Sequence, residues 1–147
     1  MEFVLIREND FQKARKKIKE SKEKRIFSSN NDELNRKILE KEKIDVLLLN
    51  QSQRRDRMKQ RDSGLNHILA KIAKKKGVAI GINLDEIIDS NPKEKTEILS
   101  RIRQNIKICN KNKLKMEFIS QKNKRDVHDL KSLGLSLGMP TWMTESI

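Results

Sequence analysis

The side chains able to do chemistry in this chain are few, and most are cationic. Only two histidines occur, His67 and His128, each inside a helical segment and neither in an HxH or HxxE spacing. Hydrolytic metal centres need several converging imidazole or carboxylate ligands, so this set is too small, and no metal site and no protein-bound cofactor is expected. His67 and its neighbour Asn66 read as hydrogen-bonded structural or interface residues. Asp126 and Asp129 stand at i and i+3 near a helix start, where a carboxylate favours the helix dipole, and capping explains them without acid–base chemistry. The single cysteine, Cys109, shares helical spacing with Ile98, Ile102 and Ile106 and reads as a buried structural thiol. No glycine-rich phosphate loop, CxxC pair or nucleophile elbow is present. What remains is the basic set: Arg54, Arg55, Arg57 and Arg61 in one stretch, Lys124 and Arg125 in another, and the run Lys74, Lys75 and Lys76. A planar guanidinium forks onto phosphate oxygens, which makes loop arginines the better candidates. The lysine run also fits a plain solvated face.

Charge balance points the same way. Thirty-four Lys and Arg against 21 Asp and Glu leave a formal net charge of +13 over 147 residues. Such an excess attracts polyanions at long range, meaning nucleic acid or an anionic membrane. No apolar run approaches the ~20 residues of a spanning helix, and no signal-peptide core opens the chain, so nucleic acid is favoured and a cytoplasmic location expected. Aromatic residues are confined to Phe3, Phe11, Phe27, Phe118 and Trp142. That is too few for a stacking platform along a single strand, so the charge must act mainly on phosphates.

The elements that would position these residues follow a βα rhythm. Strands are expected at Phe3–Ile6, Arg25–Ser28, Ile44–Leu49, Val78–Ile82 and Lys115–Ser120, with helices between them. The order argues for parallel pairing with right-handed crossovers. Ser63 is a plausible N-cap for a helix carrying Leu65, Ile68, Leu69 and Ile72 on one face, and Gly77 suits the left-handed position that ends it. Val78–Ile82 and Val46–Leu49 are almost unbroken apolar runs, which predicts central strands covered by helices on both faces. A last helix should bury Val127, Leu130, Leu133 and Leu137. Between positions 50 and 62 the periodicity fails, giving a long basic loop at the carboxyl end of a strand, where α/β folds carry their sites. A solvated linker is the alternative. One α/β domain is expected over 1–147, with an irregular tail at 140–147. A closed eight-unit barrel usually needs ~250 residues, with about 200 near the lower limit, so about five parallel strands are expected to form only a partial TIM-barrel-like array.

The stretch Arg61, Asp62, Gly64, Leu65, Asn66, His67 and onward through VAIGINLDEII resembles the core signature of the ribonuclease P protein component 3 family of archaea and eukaryotes. Asn35-Arg36 with Glu40 ahead of Ile44–Leu47, and Arg125-Asp126-Val127 with Asp129-Leu130, are similar to further family segments. The likeness covers roughly residues 25 to 139. It implies a phosphoesterase-type barrel fold and a subunit that binds the catalytic RNA, and through it precursor tRNA, together with a small α/β partner protein. Magnesium would then enter through the RNA. The resemblance adds Arg36 to the RNA-contact candidates. Longer family members carry further βα units, implying an open barrel, a partner-completed one or a fragmentary product. Two other functions stay open on the residues alone: a degenerate metal phosphoesterase and a generic basic RNA-binding protein.

Overall fold

Apolar strands of four or five residues, each followed by a helix, can pair side by side in chain order, and this chain does so throughout. In the computed structural model, which describes residues 2–56 and 61–147, the strands are β1 (Phe3–Arg7), β2 (Lys24–Ser28), β3 (Val46–Leu49), β4 (Ala79–Asn83) and β5 (Met116–Ile119). They form one sheet in the order β1-β2-β3-β4-β5, every pair parallel. The helices are α1 (Phe11–Glu20), α2 (Asp32–Lys41), α3 (His67–Lys76), α4 (Leu84–Asp89), α5 (Pro92–Lys111), α6 (Val127–Ser136) and α7 (Thr141–Thr144). Side-chain caps from Asp10, Asn31, Asn66, Asn83, Asn91 and Asp126 start the first six of them. Each cap gives the first turn an acceptor for an otherwise orphan N–H. No helix among the described residues is long and apolar enough to cross a membrane.

The strands bury both faces, but by different means. One face, with Ile6, Phe27, Leu47, Leu49, Ile80, Ile82 and Met116, packs against the helices in the main core. The other is a second core made only of strand residues: Ile26, Val46, Leu48 and Ile119, with Phe3, Leu5 and Ala79 at its margin. Helices on both faces, expected from the apolar runs, are therefore not what covers β3 and β4. The sheet curls on itself instead. Lys24 on β2 and Glu117 on β5 pair at 2.7 Å, although two strands lie between them and a flat sheet would hold their backbones about 14 Å apart. Gly81 permits the curl, since a Cβ there would stand 3.0 Å from both Leu48 Cδ1 and Val46 Cγ1. This is five strands' worth of a barrel wall, with β1 and β5 as its edges.

Helix boundaries differ from expectation in three places. The N-cap of α3 is Asn66, whose side chain accepts from the Leu69 N–H, rather than Ser63, which is buried ahead of the helix. That shifts the inward face to Leu69, Ala70 and Ala73 and leaves Ile68 59% exposed. On α6, Val127 is 50% exposed because Asp126 caps the helix at the surface, and the burial falls on Gly134 and Leu137. The tail at 140–147, expected to be irregular, holds the short α7, with Met143 buried and the Trp142 indole N–H donating to Asn110 at 2.9 Å. Cys109 is fully buried, and burial pushes its thiol up to about 12.

Gly81→Val should overpack the strand-only core and lower unfolding free energy by about 1–3 kcal/mol, read by urea denaturation followed with circular dichroism. A variant as stable as the parent would mean that the concave face is looser than this packing requires.

Candidate nucleic-acid interface

At the carboxyl edge of the sheet the strands end in polar residues, and these knit into one network. Asn50 after β3 donates to the Ser28 hydroxyl at the end of β2 at 2.9 Å, and Asn83 at the end of β4 donates to Asn50 at 2.9 Å. Beside them lies a cleft of about 500 Å³, lined among others by Arg7, Asn9, Asn30, Gln53 and Glu86. Glu86 accepts from the backbone N–H groups of Gln51 and Ser52. Burial nonetheless raises its carboxyl above the usual range, since it outweighs those hydrogen bonds. The mouth is built of amides, hydroxyls, the exposed Arg7 guanidinium and two carboxylates, Glu8 and Glu86. Among the described residues no group of three or more His, Cys, Asp or Glu is placed to hold a metal ion.

Arginine staples hold the loop that follows β3. Arg101, from the buried stripe of α5 and only 2% exposed, donates Nη1 to the Gln51 carbonyl at 2.9 Å, Nη2 to the Arg54 carbonyl at 2.8 Å and Nε to Asp56 at 3.1 Å. Arg54 is the second staple. Its side chain, 11% exposed, forks onto Asp32 at 3.0 and 3.1 Å and lies 3.5 Å from Asp62. It also packs over Gly64, whose φ of +76° and lack of a Cβ leave room for the guanidinium. Arg54, whose place in the loop suggested a phosphate contact, is drawn onto these carboxylates instead of standing free. Two carboxylates already hold it, and withdrawing it from them would leave both uncompensated. For Asp56, burial acts to raise the carboxyl, but the Asp62 N–H and the Arg101 guanidinium win and hold it below the ordinary value.

The remaining candidates fall into separate groups. Arg55 and Arg61 are exposed, Arg61 reaching Asp56 only at 3.5 Å, and Arg57 lies outside the described residues. Lys124 and Arg125 are exposed on the loop leaving β5, at the same edge of the sheet. That loop is clamped by Asp85, whose carboxylate accepts N–H groups of Gln121, Lys122 and Asn123 at 2.9, 3.3 and 2.8 Å. Burial opposes those hydrogen bonds, but they prevail and lower the pKa of Asp85. Arg36 lies on the outer face of α2, paired with Glu40 at 2.8 Å. Lys74 and Lys75 end α3, which places them at the amino edge of β4, away from the loops, and Lys74 donates to the Lys113 carbonyl at 2.9 Å. Asn66 is a cap, and His67 meets Asn112 at 3.0 Å. His128 is exposed on α6. Arg101, Asp56, Gln51, Asp85 and Arg7 are the site residues that spacing alone misses.

Arg101→Met removes three side-chain hydrogen bonds from α5 to the loop, leaving those of Glu94 and Gln104, and should cost about 3 kcal/mol in urea unfolding. The Asp56 carboxyl is lowered in the folded chain, so its contribution is present above the ordinary value near ~3.9 and disappears as pH falls through its own lower value. The gap between parent and variant should therefore hold steady at neutral pH and narrow only below about pH 4. A gap that closes near neutrality would show that Asp56 is not the partner that matters.

A family model described as RNase P subunit p30 matches residues 4–141, further toward the amino terminus than the motifs alone reach. Ribonuclease P protein component 3 of Methanococcus maripaludis strain C5 is 26% identical over 140 residues, covering 95% of this chain and 57% of the relative. The protein of that name in Methanosarcina acetivorans is 32% identical over 95 residues, covering 65% and 37%. The chain spans about half the length of the curated relatives it matches. A chain in a cryo-EM structure of archaeal ribonuclease P with mature tRNA shares the fold, with a TM-score of 0.76 at 22% identity over 96% of this chain and 62% of that one. With the model matched from the first strand to the last helix, this chain belongs to the RNase P subunit p30 family.

Proposed function

We propose that the chain is a protein subunit of ribonuclease P. In this reading it binds the catalytic RNA, sits beside a small α/β partner protein, and supports removal of the 5′ leader from precursor tRNA in the cytoplasm. The observation that carries the reading is the carboxyl edge of the sheet, where Arg55, Arg61, Lys124 and Arg125 stand exposed on loops whose stems are fixed by Arg101, Arg54 and Asp85. Cations held on fixed stems neutralise phosphates without first ordering a loop, which lowers the entropic cost of binding. Structured RNA presents phosphates and 2′-hydroxyls rather than readable base edges, and such a face suits it. Cleavage chemistry and magnesium belong to the RNA in this account, and the protein reduces repulsion where RNA segments crowd. The amide and hydroxyl ladder of Ser28, Asn50 and Asn83, flanked in this cleft by two carboxylates and no imidazole, favours such a supporting role over a phosphoesterase, whose strand ends would carry a converging set of imidazoles and carboxylates.

Replacing Arg55, Arg61, Lys124 and Arg125 with Ala should leave the fold intact and flatten the dependence of log affinity on log salt by roughly 0.7–0.9 per lost phosphate contact. Substituting Lys74, Lys75 and Lys76 instead should flatten it far less, because they lie at the other edge. Equal flattening in both variants, measured by filter binding across a salt series, would mean that total charge governs binding and that no placed face exists.

A further inference from the structure

Residues 61–67 line a cleft of about 460 Å³ against α5, completed by Gln104, Ile108 and Asp32, a size within the roughly 300–1,000 Å³ of small-ligand sites. Five residues of this stretch have structural work that accounts for them. Asp62 faces Arg54, Ser63 is buried and bound by Gln51 and Gln104, Gly64 makes room for Arg54, Leu65 is in the core and Asn66 caps α3. Among the described residues the Arg61 and His67 side chains have one hydrogen-bond partner each. Arg61 is exposed with its nearest described carboxylate at 3.5 Å. The Asn112 amide N–H meets the His67 ring at Nδ1, 3.0 Å away. An amide nitrogen only donates, so Nδ1 accepts and the neutral ring keeps its proton on Nε2 as a donor. Gln104 donates to the Arg61 carbonyl at 3.0 Å and to Ser63 at 3.3 Å, which leaves its Oε1 to accept. Leu65 and Ile108 form an apolar wall beside these groups.

The Asp32 and Asp62 carboxylates that also line the cleft are turned to Arg54; the remaining cation, N–H donor, amide acceptor and apolar wall match the parts of a single nucleotide: phosphate, base edge and base face. We propose that this cleft takes one unpaired nucleotide of RNA, with Arg61 and His67 toward the phosphate and Gln104 toward the base. Unpaired loops and bulges offer base and phosphate together, whereas a duplex hides its base edges. A protein carboxylate would use Arg61 and the His67 N–H but leave the apolar wall unfilled. The assignment rests on the RNA-binding reading above and adds a preference for unpaired RNA.

His67→Phe keeps a ring and removes the donor, and Gln104→Met keeps the length and removes the amide. Neither residue belongs to the four exposed cations of the loop face. Both variants of the full chain, checked for fold by circular dichroism, are titrated with a short single-stranded oligoribonucleotide and with a blunt RNA duplex. Loss of one hydrogen bond should weaken single-strand binding by about 5–10-fold in each variant and leave duplex binding within about twofold of the parent. Unchanged single-strand binding, or an equal loss on both probes, overturns the cleft assignment. So does unchanged RNA binding alongside weaker association with a protein partner. Parental binding of the same probes, with its salt dependence, tests the RNA-binding reading separately, so the two cannot fail together unseen.

Discussion

A parallel sheet whose strands follow one another in chain order, linked by crossovers of one hand, puts all its helices on one face. The other face must then be buried by the strands themselves. In this chain that constraint is met by curling, which brings Ile26, Val46, Leu48 and Ile119 together without any helix and lets Lys24 reach Glu117. At Gly81 the concave face is packed too closely to admit a Cβ without shifting Leu48 or Val46. The curl gathers the strand ends, so that Ser28, Asn50 and Asn83 from neighbouring strands hydrogen-bond in a row. The loops that leave those ends therefore share one edge.

Within that edge, arginines divide by burial. Arg101 and Arg54 are withdrawn from solvent and engaged with carbonyls and carboxylates, where a planar fork suits several fixed acceptors at once. Arg55, Arg61 and Arg125 remain exposed. A net charge of +13 acts at long range on any polyanion, but only cations with fixed stems give it a geometry. The staples convert a basic loop into a face.

Much of the fold is legible in the sequence because it rests on local signals. Each strand is an apolar run between turn residues, and the observed strands fall within two residues of their expected limits. Gly77 adopts the left-handed cap with φ of +71° that its position after three lysines suggests. Long-range pairing is what spacing hides. Ser63 has the chemistry of a cap, but Gln51 and Gln104 bind it from distant parts of the chain, and Asn66 caps the helix in its place. Arg54 resembles its neighbours until Asp32 and Asp62 are seen beside it. One signal was available: Arg101 and Asn105 sit in phase with Ile98, Ile102 and Ile106 on α5, and a guanidinium in an apolar stripe implies buried acceptors. The covering of β3 and β4 was misread because a two-sided apolar run does not say what lies on each side.

The central claim is that this chain supports an RNA catalyst through a prebuilt cationic face. Cleavage of precursor tRNA by the catalytic RNA, titrated with magnesium in the presence and absence of the chain and the proposed small α/β partner, tests it most directly. The account predicts that the chain shifts the midpoint to lower magnesium, as expected when protein cations replace counterions on crowded phosphates. An unchanged midpoint with the chain demonstrably bound to the RNA would contradict it.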